Sequence, residues 1–231
     1  MRTAIVAGAS GLVGEHVLRR LLAGSQHERV VAFVRGPINI VHRRLEQRTI
    51  DYERVGRMSA FPRAEDVFCC LGTTIRKAGS EEAFRKVDVE YVVRLAEVSY
   101  RAGASQFLLV SAVGADAGSS NFYLRCKGEA EEGIRVLPFR GVQIFRPSFL
   151  LGERSEKRTG EALGSVAARL FSFAMIGPAR RYRPIRADGV AKAMVAVCRE
   201  SPTGVHVYEG DAMSDLAAVP RGLTSGAPGY P

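Results

Sequence analysis

The first fourteen residues, MRTAIVAGASGLVG, constrain the fold of this chain more than any other stretch. An apolar run at 3–7 passes directly into glycines spaced G-x-x-G-x-x-G, and a helical pattern of apolar residues follows at once. This order of strand, glycine-rich turn and helix places backbone N–H groups and the positive end of a helix dipole where a nucleotide pyrophosphate binds. An ordinary turn between a strand and a helix also uses Gly and Ser, so both interpretations stay open here.

The three glycines of the turn have separate predicted roles. Gly8 permits the tight turn, Gly11 lets the backbone approach a phosphate, and Gly14 lets the helix lie close to the strand. The residues predicted to line the pyrophosphate are Gly8, Ser10, Gly11, Leu12, Val13 and Gly14.

Apolar runs of strand character alternate with helical patterns along most of the chain. The strand-like runs after the first lie at 30–34, 48–50, 66–70, 106–110, 141–145 and 205–208. This alternation predicts an α/β fold with a single Rossmann-like, doubly wound parallel sheet and right-handed crossovers. A length of 231 residues is enough for one large domain, and no internal repeat or low-complexity linker divides it.

The last third of the chain is predicted to add a short substrate or lid region. We expect a domain at 1–210 that includes a small lobe at about 150–210, and a flexible tail at 211–231. The apolar segment 163–176 has helical spacing, which fits either packing on the sheet or a lid or dimer surface. The basic residues around it form either a solvated rim or a surface for an anionic substrate or partner: Arg154, Lys157, Arg158, Arg180, Arg181, Arg183 and Arg186.

The composition limits the classes of partner. The net charge is +9, but only five of the 33 basic residues are lysines and the arginines are scattered, as a bias towards arginine codons would produce. We therefore expect no nucleic-acid partner. No apolar stretch approaches the ~20 residues that a membrane-spanning helix needs. A small-molecule substrate is expected, with a homodimer or a protein partner as a further possibility.

The cysteines and histidines predict neither disulfides nor a metal site. The four cysteines lack the spacing of either, and the four histidines are dispersed. The first residues also lack the apolar segment and cleavage site of a signal peptide. These observations together predict a cytoplasmic protein.

Arg35 closes the second strand-like run, with no acidic residue nearby. In dinucleotide-binding folds the residue at this place meets the adenosine ribose, where a carboxylate favours NAD and an arginine favours the 2′-phosphate of NADP. Arg35 therefore predicts NADP(H), with NAD(H) less favoured. The alternative is an arginine that only solvates the end of a strand.

Three polar side chains in the middle of the chain suggest proton chemistry. Tyr123 and Lys127 are four residues apart and share a helix face, where an ammonium would favour the phenolate of a group that otherwise titrates at about pH 10. Ser111, at the end of the strand-like run 106–110, could hold the same substrate oxygen. The alternative for Tyr123 and Lys127 is a solvated helix face. Leu71, Gly72 and Thr73 end another strand and are candidates to lie along the cofactor.

The glycine turn, Ser111, Tyr123 and Lys127 together resemble the atypical branch of the short-chain dehydrogenase/reductase superfamily. The runs CLGTT (70–74), GAD (114–116), SSNF (119–122), KGE (127–129) and FRP (145–147) resemble more specifically the HIV Tat-interacting protein family. The resemblance covers about residues 3 to 210.

This resemblance implies a role for each matching residue. Tyr123 would be the acid–base group, Lys127 would bind the nicotinamide ribose, and Ser111 would orient the substrate. Backbone around Pro147 and Ser148 would approach the nicotinamide, and the cofactor would be NADP(H). Asp88 is the polar candidate near the place where many members of the superfamily have an asparagine that completes a proton relay.

Two functions follow from the sequence. The first is an NADP(H)-dependent oxidoreductase on a small carbonyl or alcohol; the short region after residue 150 argues against a bulky sugar nucleotide. The second is an NADP(H)-bound regulatory or protein-interaction module with little or no turnover, because relatives in this branch are often binding proteins.

Overall fold

A computed structural model of the chain describes residues 2–58, 60–151 and 183–218. Its centre is a parallel sheet of seven strands in the order β3-β2-β1-β4-β5-β6-β9. The strands are β1 Thr3–Ala7, β2 Arg29–Val34, β3 Leu45–Thr49, β4 Asp66–Cys69, β5 Gln106–Val110, β6 Gly141–Arg146 and β9 Gly204–Glu209, and a separate pair consists of β7 Leu150–Leu151 and β8 Ile185–Arg186. The predicted fold class is confirmed.

Helices cover both faces of the sheet. They are α1 Leu12–Ala23, α2 Ile75–Ala78, α3 Glu81–Arg85, α4 Tyr91–Arg101, α5 Phe122–Arg135, α6 Ala187–Glu200 and α7 Gly210–Ala218. Alternate residues of each strand point to opposite faces, so β1 contributes Ala4 and Val6 to a core with α1 and α6, and Ile5 and Ala7 to a core with α4 and α5. Burial on both faces explains why the central strands read as continuous apolar runs.

The register brings the carboxyl ends of the central strands to one edge. Ala7, the last residue of β1, pairs with Phe33 of β2 on one side and with Cys69 of β4 on the other. The segments that follow these strands therefore begin side by side, although they are far apart in sequence. This edge is where open α/β sheets bind their ligands.

The predicted long helix after Ser80 is observed as three consecutive pieces. Ser80 caps α3 by accepting a hydrogen bond from the Ala83 N–H at 3.0 Å, and a π-helical turn at Lys86–Glu90 joins α3 to α4. Such turns contain one extra residue and are frequent at functional sites. Asp88 lies in this turn.

The end of the described chain differs from the predicted tail. Residues 210–218 form α7, and Met213 of this helix is buried in the core beside α6. Residues 219–231 lie outside the described residues, as do the predicted segment 163–176 and the basic residues from Arg154 to Arg181. No helix within the described ranges is both long and apolar enough to cross a membrane.

A buried polar cluster lies at the opposite, amino-terminal edge of the sheet. Asp66 accepts hydrogen bonds from Arg2 at 2.7 and 3.0 Å and is bonded to His27 Nε2 at 2.7 Å. A ligand atom of Cys198 lies within 4.8 Å of those of His27 and Asp66. Arg2 already bonds to both oxygens of Asp66, so the cluster is an ion-paired network of the fold.

Candidate functional site

The glycine turn after β1 is built by close backbone contacts. Gly8 has φ +76°, and a Cβ there would lie 2.5 Å from the Cys70 carbonyl oxygen. A Cβ at Gly14 would lie 2.1 Å from the Gly8 carbonyl oxygen, so the first turn of α1 approaches the turn as closely as predicted. Only glycine fits at these two positions.

The amino end of α1 is open to an anion. Gly11 is the N-cap residue and has no side chain, so it cannot accept a hydrogen bond from the N–H groups of the first helical turn. Aligned with the helix dipole, these N–H groups fit a pyrophosphate. Ser10 is exposed beside them, and Leu12 is half-buried. The residues present therefore fit the phosphate group of a dinucleotide.

Arg35 lies two residues beyond the end of the Ala7–Phe33 pairing, on the same edge as the glycine turn. Its side chain is exposed and makes no ion pair with any residue in the described ranges. Next to this region the buried Tyr52 has a hydroxyl without a hydrogen-bond partner among the described residues. Burial raises the pKa of Tyr52, and the nearby Arg35 charge acts in the opposite direction.

Tyr123 and Lys127 lie on one face of α5, as predicted. This helix begins after Asn121, whose side chain accepts a hydrogen bond from the Leu124 N–H at 3.1 Å. Lys127 Nζ lies 5.9 Å from the centre of the Tyr123 ring. Tyr123 is 37% exposed, whereas Lys127 is buried. The phenol is thus accessible to a ligand, and the ammonium lies beneath it.

Lys127 has a buried counter-ion that the motif alone does not reveal. Its Nζ lies 2.7 Å from Asp88 Oδ1, and the Asp88 side chain is completely buried. Burial alone would lower the pKa of Lys127, but the carboxylate of Asp88 outweighs it and holds the pKa above its usual value. Lys127 is therefore expected to be protonated near neutral pH, in an ion pair with Asp88.

Asp88 also fixes the loop after β4. Its Oδ2 accepts a hydrogen bond from the Thr73 backbone N–H at 2.8 Å. A Cβ at Gly72 would lie 3.5 Å from Asp88 Oδ1 and 3.7 Å from Lys127 Nζ. The π-helical turn thereby brings the Leu71–Gly72–Thr73 segment, predicted to lie along the cofactor, against the lysine of α5.

Ser111 makes its hydrogen bond away from Tyr123. Its hydroxyl donates to Glu131 Oε1 at 2.6 Å, and no hydrogen bond joins it to Tyr123. Glu131 also accepts two hydrogen bonds from Arg146, from Nε at 2.8 Å and from Nη2 at 2.7 Å. The hydrogen bonds to Glu131 raise the pKa of Arg146. Sequence reasoning missed Glu131, although it follows Tyr123 and Lys127 at the same four-residue spacing.

The segment after β6 lies beside the end of β5. The Pro147 carbonyl accepts a hydrogen bond from the Val113 N–H at 3.0 Å, and the Ser148 hydroxyl donates to the Arg183 carbonyl. A cavity of about 230 Å³ adjoins Ser148, with Ile185 and Met213 among its described lining residues. Pro147 and Ser148 thus border the same edge of the sheet as Ser111.

Residues 8–167 match a protein-family model described as NAD(P)H-binding. The rat protein HTATIP2 is 36% identical over 166 residues, which cover 70% of this chain and 68% of that protein. The protein FMP52 of Candida glabrata, named as mitochondrial, is 36% identical over 161 residues, which cover 69% of this chain and 68% of that protein.

Solved structures share the fold at low sequence identity. The human epimerase family protein SDR39U1, solved with NADPH, has a TM-score of 0.61 and 18% identity, covering 90% of this chain and 74% of that one. UDP-glucose 4-epimerase of Thermotoga maritima has a TM-score of 0.66 and 17% identity, covering 90% of this chain and 76% of that one.

These comparisons correct the predicted compartment. FMP52 proteins from several fungi are named as mitochondrial, among them those of Candida glabrata, Emericella nidulans and Candida albicans. The prediction of a plain cytoplasmic location is therefore wrong, because it relied on features of the sequence that these relatives show to be insufficient. The family match and the identity to HTATIP2 show that this chain belongs to the NAD(P)H-binding family.

Proposed function

We propose that this protein is an NADP(H)-dependent oxidoreductase that acts on a small carbonyl or alcohol, with Tyr123 as the acid–base group. The observation that carries the proposal is the position of an accessible phenol over a buried lysine that is ion-paired to Asp88. Asp88 holds that lysine against Gly72, a residue of the predicted cofactor edge.

The preference for NADP(H) is supported by Arg35. Its guanidinium is exposed at the edge where the glycine turn and the end of β2 lie together. An arginine without an ion pair to any described residue suits a 2′-phosphate there, and no carboxylate follows β2 in residues 35–44 to accept a ribose hydroxyl instead.

The chain's own residues would divide the work as follows. The open amino end of α1 binds the pyrophosphate, and Lys127 holds a ribose hydroxyl. The nicotinamide, when bound, supplies or accepts the hydride. Tyr123 donates a proton to the substrate oxygen in reduction and takes it back in oxidation. The adjacent ammonium favours the phenolate that Tyr123 becomes after donating.

A second function has its own supporting observation. The Ser111 hydroxyl donates to Glu131, so the hydrogen of one of the three expected catalytic groups is already engaged. This favours a dinucleotide-bound regulatory module, in which NADP(H) occupancy changes a partner surface and turnover is absent.

One experiment separates the two functions. NADPH binding is titrated by its fluorescence, and NADPH oxidation is then followed across a panel of small aldehydes and ketones. For an oxidoreductase we expect Tyr123→Phe to lower kcat by at least 100-fold while NADPH still binds. Tyr100→Phe is the matched control, because Tyr100 is 38% exposed and lies in the last turn of α4, at the end away from the π-helical turn.

The other outcomes decide against the oxidoreductase. Tight NADPH binding with no turnover across the panel would identify the regulatory module. Equal turnover by Tyr123→Phe and the unaltered protein would remove Tyr123 from the reaction. No binding of NADPH or NADH would contradict both functions.

A further inference from the structure

The hydrogen bond of Ser111 has a defined direction. Ser111 is 4% exposed and Glu131 is 2% exposed, and their oxygens are 2.6 Å apart. This distance is typical of a hydroxyl that donates to a carboxylate, the stronger, charge-assisted kind of hydrogen bond. An ionised carboxylate only accepts, so the proton of this bond belongs to Ser111.

Glu131 forms ion pairs with two neighbouring arginines. Arg146 donates to both of its oxygens, and Arg135 Nη2 lies 3.4 Å from Oε2. Arg146 in turn donates to Glu209 of β9 at 2.9 Å. The hydroxyl of Ser111 is therefore anchored to a network that joins α5, β6 and β9. Since a serine hydroxyl has one hydrogen, Ser111 cannot donate to a ligand oxygen at the same time.

No other side chain at the end of β5 can replace Ser111 as a donor. The backbone N–H groups of Ser111 and Val113 donate to the carbonyls of Phe145 and Pro147, at 2.7 and 3.0 Å. The extended pairing thus continues past β5, and Ser111 and Val113 point to the same side of it. Val113 lies nearer to the ligand edge and is apolar. Ala112 and Gly114 offer no side-chain donor either.

We propose that Glu131 is a positioning residue that holds the Ser111 hydroxyl away from the ligand, so that Tyr123 and not Ser111 donates to the reacting oxygen. The proposal rests on the oxidoreductase function proposed above. By anchoring α5 to β5, Glu131 fixes the helix stripe that also includes Lys127 and Tyr123, since all three follow at four-residue spacing.

A single donor determines the class of substrate. Removing one preorganised donor to a developing oxyanion typically costs about 10² to 10³ in kcat. A site with only Tyr123 as donor therefore turns over carbonyls that electron-withdrawing groups already activate, and it leaves simple ketones unreacted. Activated aldehydes are the substrate class that this geometry favours.

The kinetic test uses NADPH and a series of para-substituted benzaldehydes, from 4-methoxy to 4-nitro. We expect kcat/KM to rise steeply with electron withdrawal. Ser111→Ala should reduce kcat/KM by less than about fivefold and should keep the same dependence on electron withdrawal. Tyr123→Phe should reduce kcat/KM by at least 100-fold. A loss of 100-fold or more in Ser111→Ala, with NADPH binding intact, would overturn the proposal, because it is the loss expected for a missing donor.

A spectroscopic test detects the hydrogen bond between Ser111 and Glu131 without requiring turnover. In equal parts of H₂O and D₂O, a serine whose hydroxyl exchanges slowly gives two ¹³Cβ signals, and Ser111→Ala identifies the pair that belongs to Ser111. We expect two signals in the unaltered protein and one averaged signal in Glu131→Gln, where a neutral amide holds the hydroxyl less firmly. Glu132→Gln, at the exposed neighbouring position, is the control and should keep the two ¹³Cβ signals of Ser111.

The two tests fail independently. One averaged Ser111 signal in the unaltered protein would overturn the role of Glu131 whatever the kinetics show. If no benzaldehyde is turned over although NADPH binds, the oxidoreductase function itself is contradicted, and the ¹³C measurement still decides whether Glu131 holds Ser111.

Discussion

Lys127 shows how far a motif predicts a residue's chemistry. Its spacing from Tyr123 was enough to place both on one helix face, because helix geometry is local. Its counter-ion was not predictable in the same way. Asp88 lies 39 positions earlier, and only the packing of α5 against the π-helical turn brings it within 2.7 Å. The sequence motif thus predicted the cation but not the buried ion pair.

Replacing Asp88 tests that ion pair. We expect Asp88→Asn to lower the free energy of unfolding at pH 7 by about 3 kcal/mol, because it leaves a buried ammonium without its counter-charge. Without Asp88, burial lowers the pKa of Lys127 below its unfolded value. The loss of unfolding free energy in Asp88→Asn should therefore become smaller between pH 7 and pH 10, because Lys127 of the folded variant loses its proton in this range.

Urea unfolding at several pH values measures this effect. Glu90→Gln is the control, because Glu90 lies in the same π-helical turn but pairs with Arg94 on the surface. A deficit for Asp88→Asn that is equal at pH 7 and pH 10 would show that the charge of Lys127 is not its cause.

Arg35 carries the choice of cofactor. Because hydrogen bonds to charged groups contribute about 1.5–3 kcal/mol, we expect Arg35→Asp to weaken NADPH binding by about 10- to 100-fold and NADH binding by less than threefold. Fluorescence titration with both cofactors measures the two dissociation constants. Arg101→Asp, at an exposed position on α4, controls for the change in net charge. Equal losses for NADPH and NADH would remove Arg35 from the 2′-phosphate.

At the scale of elements, burial decided which predictions succeeded. β2 and β4 are covered on both faces and were visible as apolar runs. β3 is an edge strand of sequence LEQRT, and its polar side chains gave no such run, so its bounds differ from the predicted 48–50. The π-helical turn was also not predictable, because Phe84, Val87, Tyr91 and Leu95 follow one another at ordinary helical spacing in the sequence.

The cluster at the amino-terminal edge links β1 to β4 through Asp66. Although burial opposes ionisation, hydrogen bonds from His27 and Arg2 hold the pKa of Asp66 below its usual value. A carboxylate with a lowered folded-state pKa stabilises the protein above its unfolded pKa of about 3.9, and this contribution disappears as the pH falls through the folded-state pKa.

We therefore expect Asp66→Asn to lower the free energy of unfolding at pH 7 by about 3 kcal/mol, since Arg2 loses its partner and the site is buried. The difference from the unaltered protein should decrease below about pH 4. Thermal unfolding followed by circular dichroism from pH 3 to pH 7 measures it. Asp51→Asn, at an exposed position, should show little change at any pH. A difference that persists undiminished at pH 3 would contradict the ionic role of Asp66.

For the whole molecule, alternation of strands and helices was sufficient to predict a parallel, doubly wound sheet, because right-handed crossovers leave few other arrangements. The predicted flexible tail at 211–231 shows that composition alone does not identify a short packed helix such as α7. Met213 is buried against α6, yet nothing in the polar surroundings of a single methionine distinguishes a packed helix from a free end. Ser111 shows the same limit in the site, since its partner Glu131 depends on how α5 docks.

The central place of β1 has a consequence for synthesis on the ribosome. β1 pairs with β2 and β4, so the four-stranded half β3-β2-β1-β4 can be complete as soon as β4 has left the ribosome. The edge of β4 that pairs with β5 stays unpaired until β5 has been made, almost forty residues later. At translation rates of about 5–20 residues per second, that edge is open for seconds. A chaperone that covers this edge is therefore of use to the nascent chain between the synthesis of β4 and that of β5.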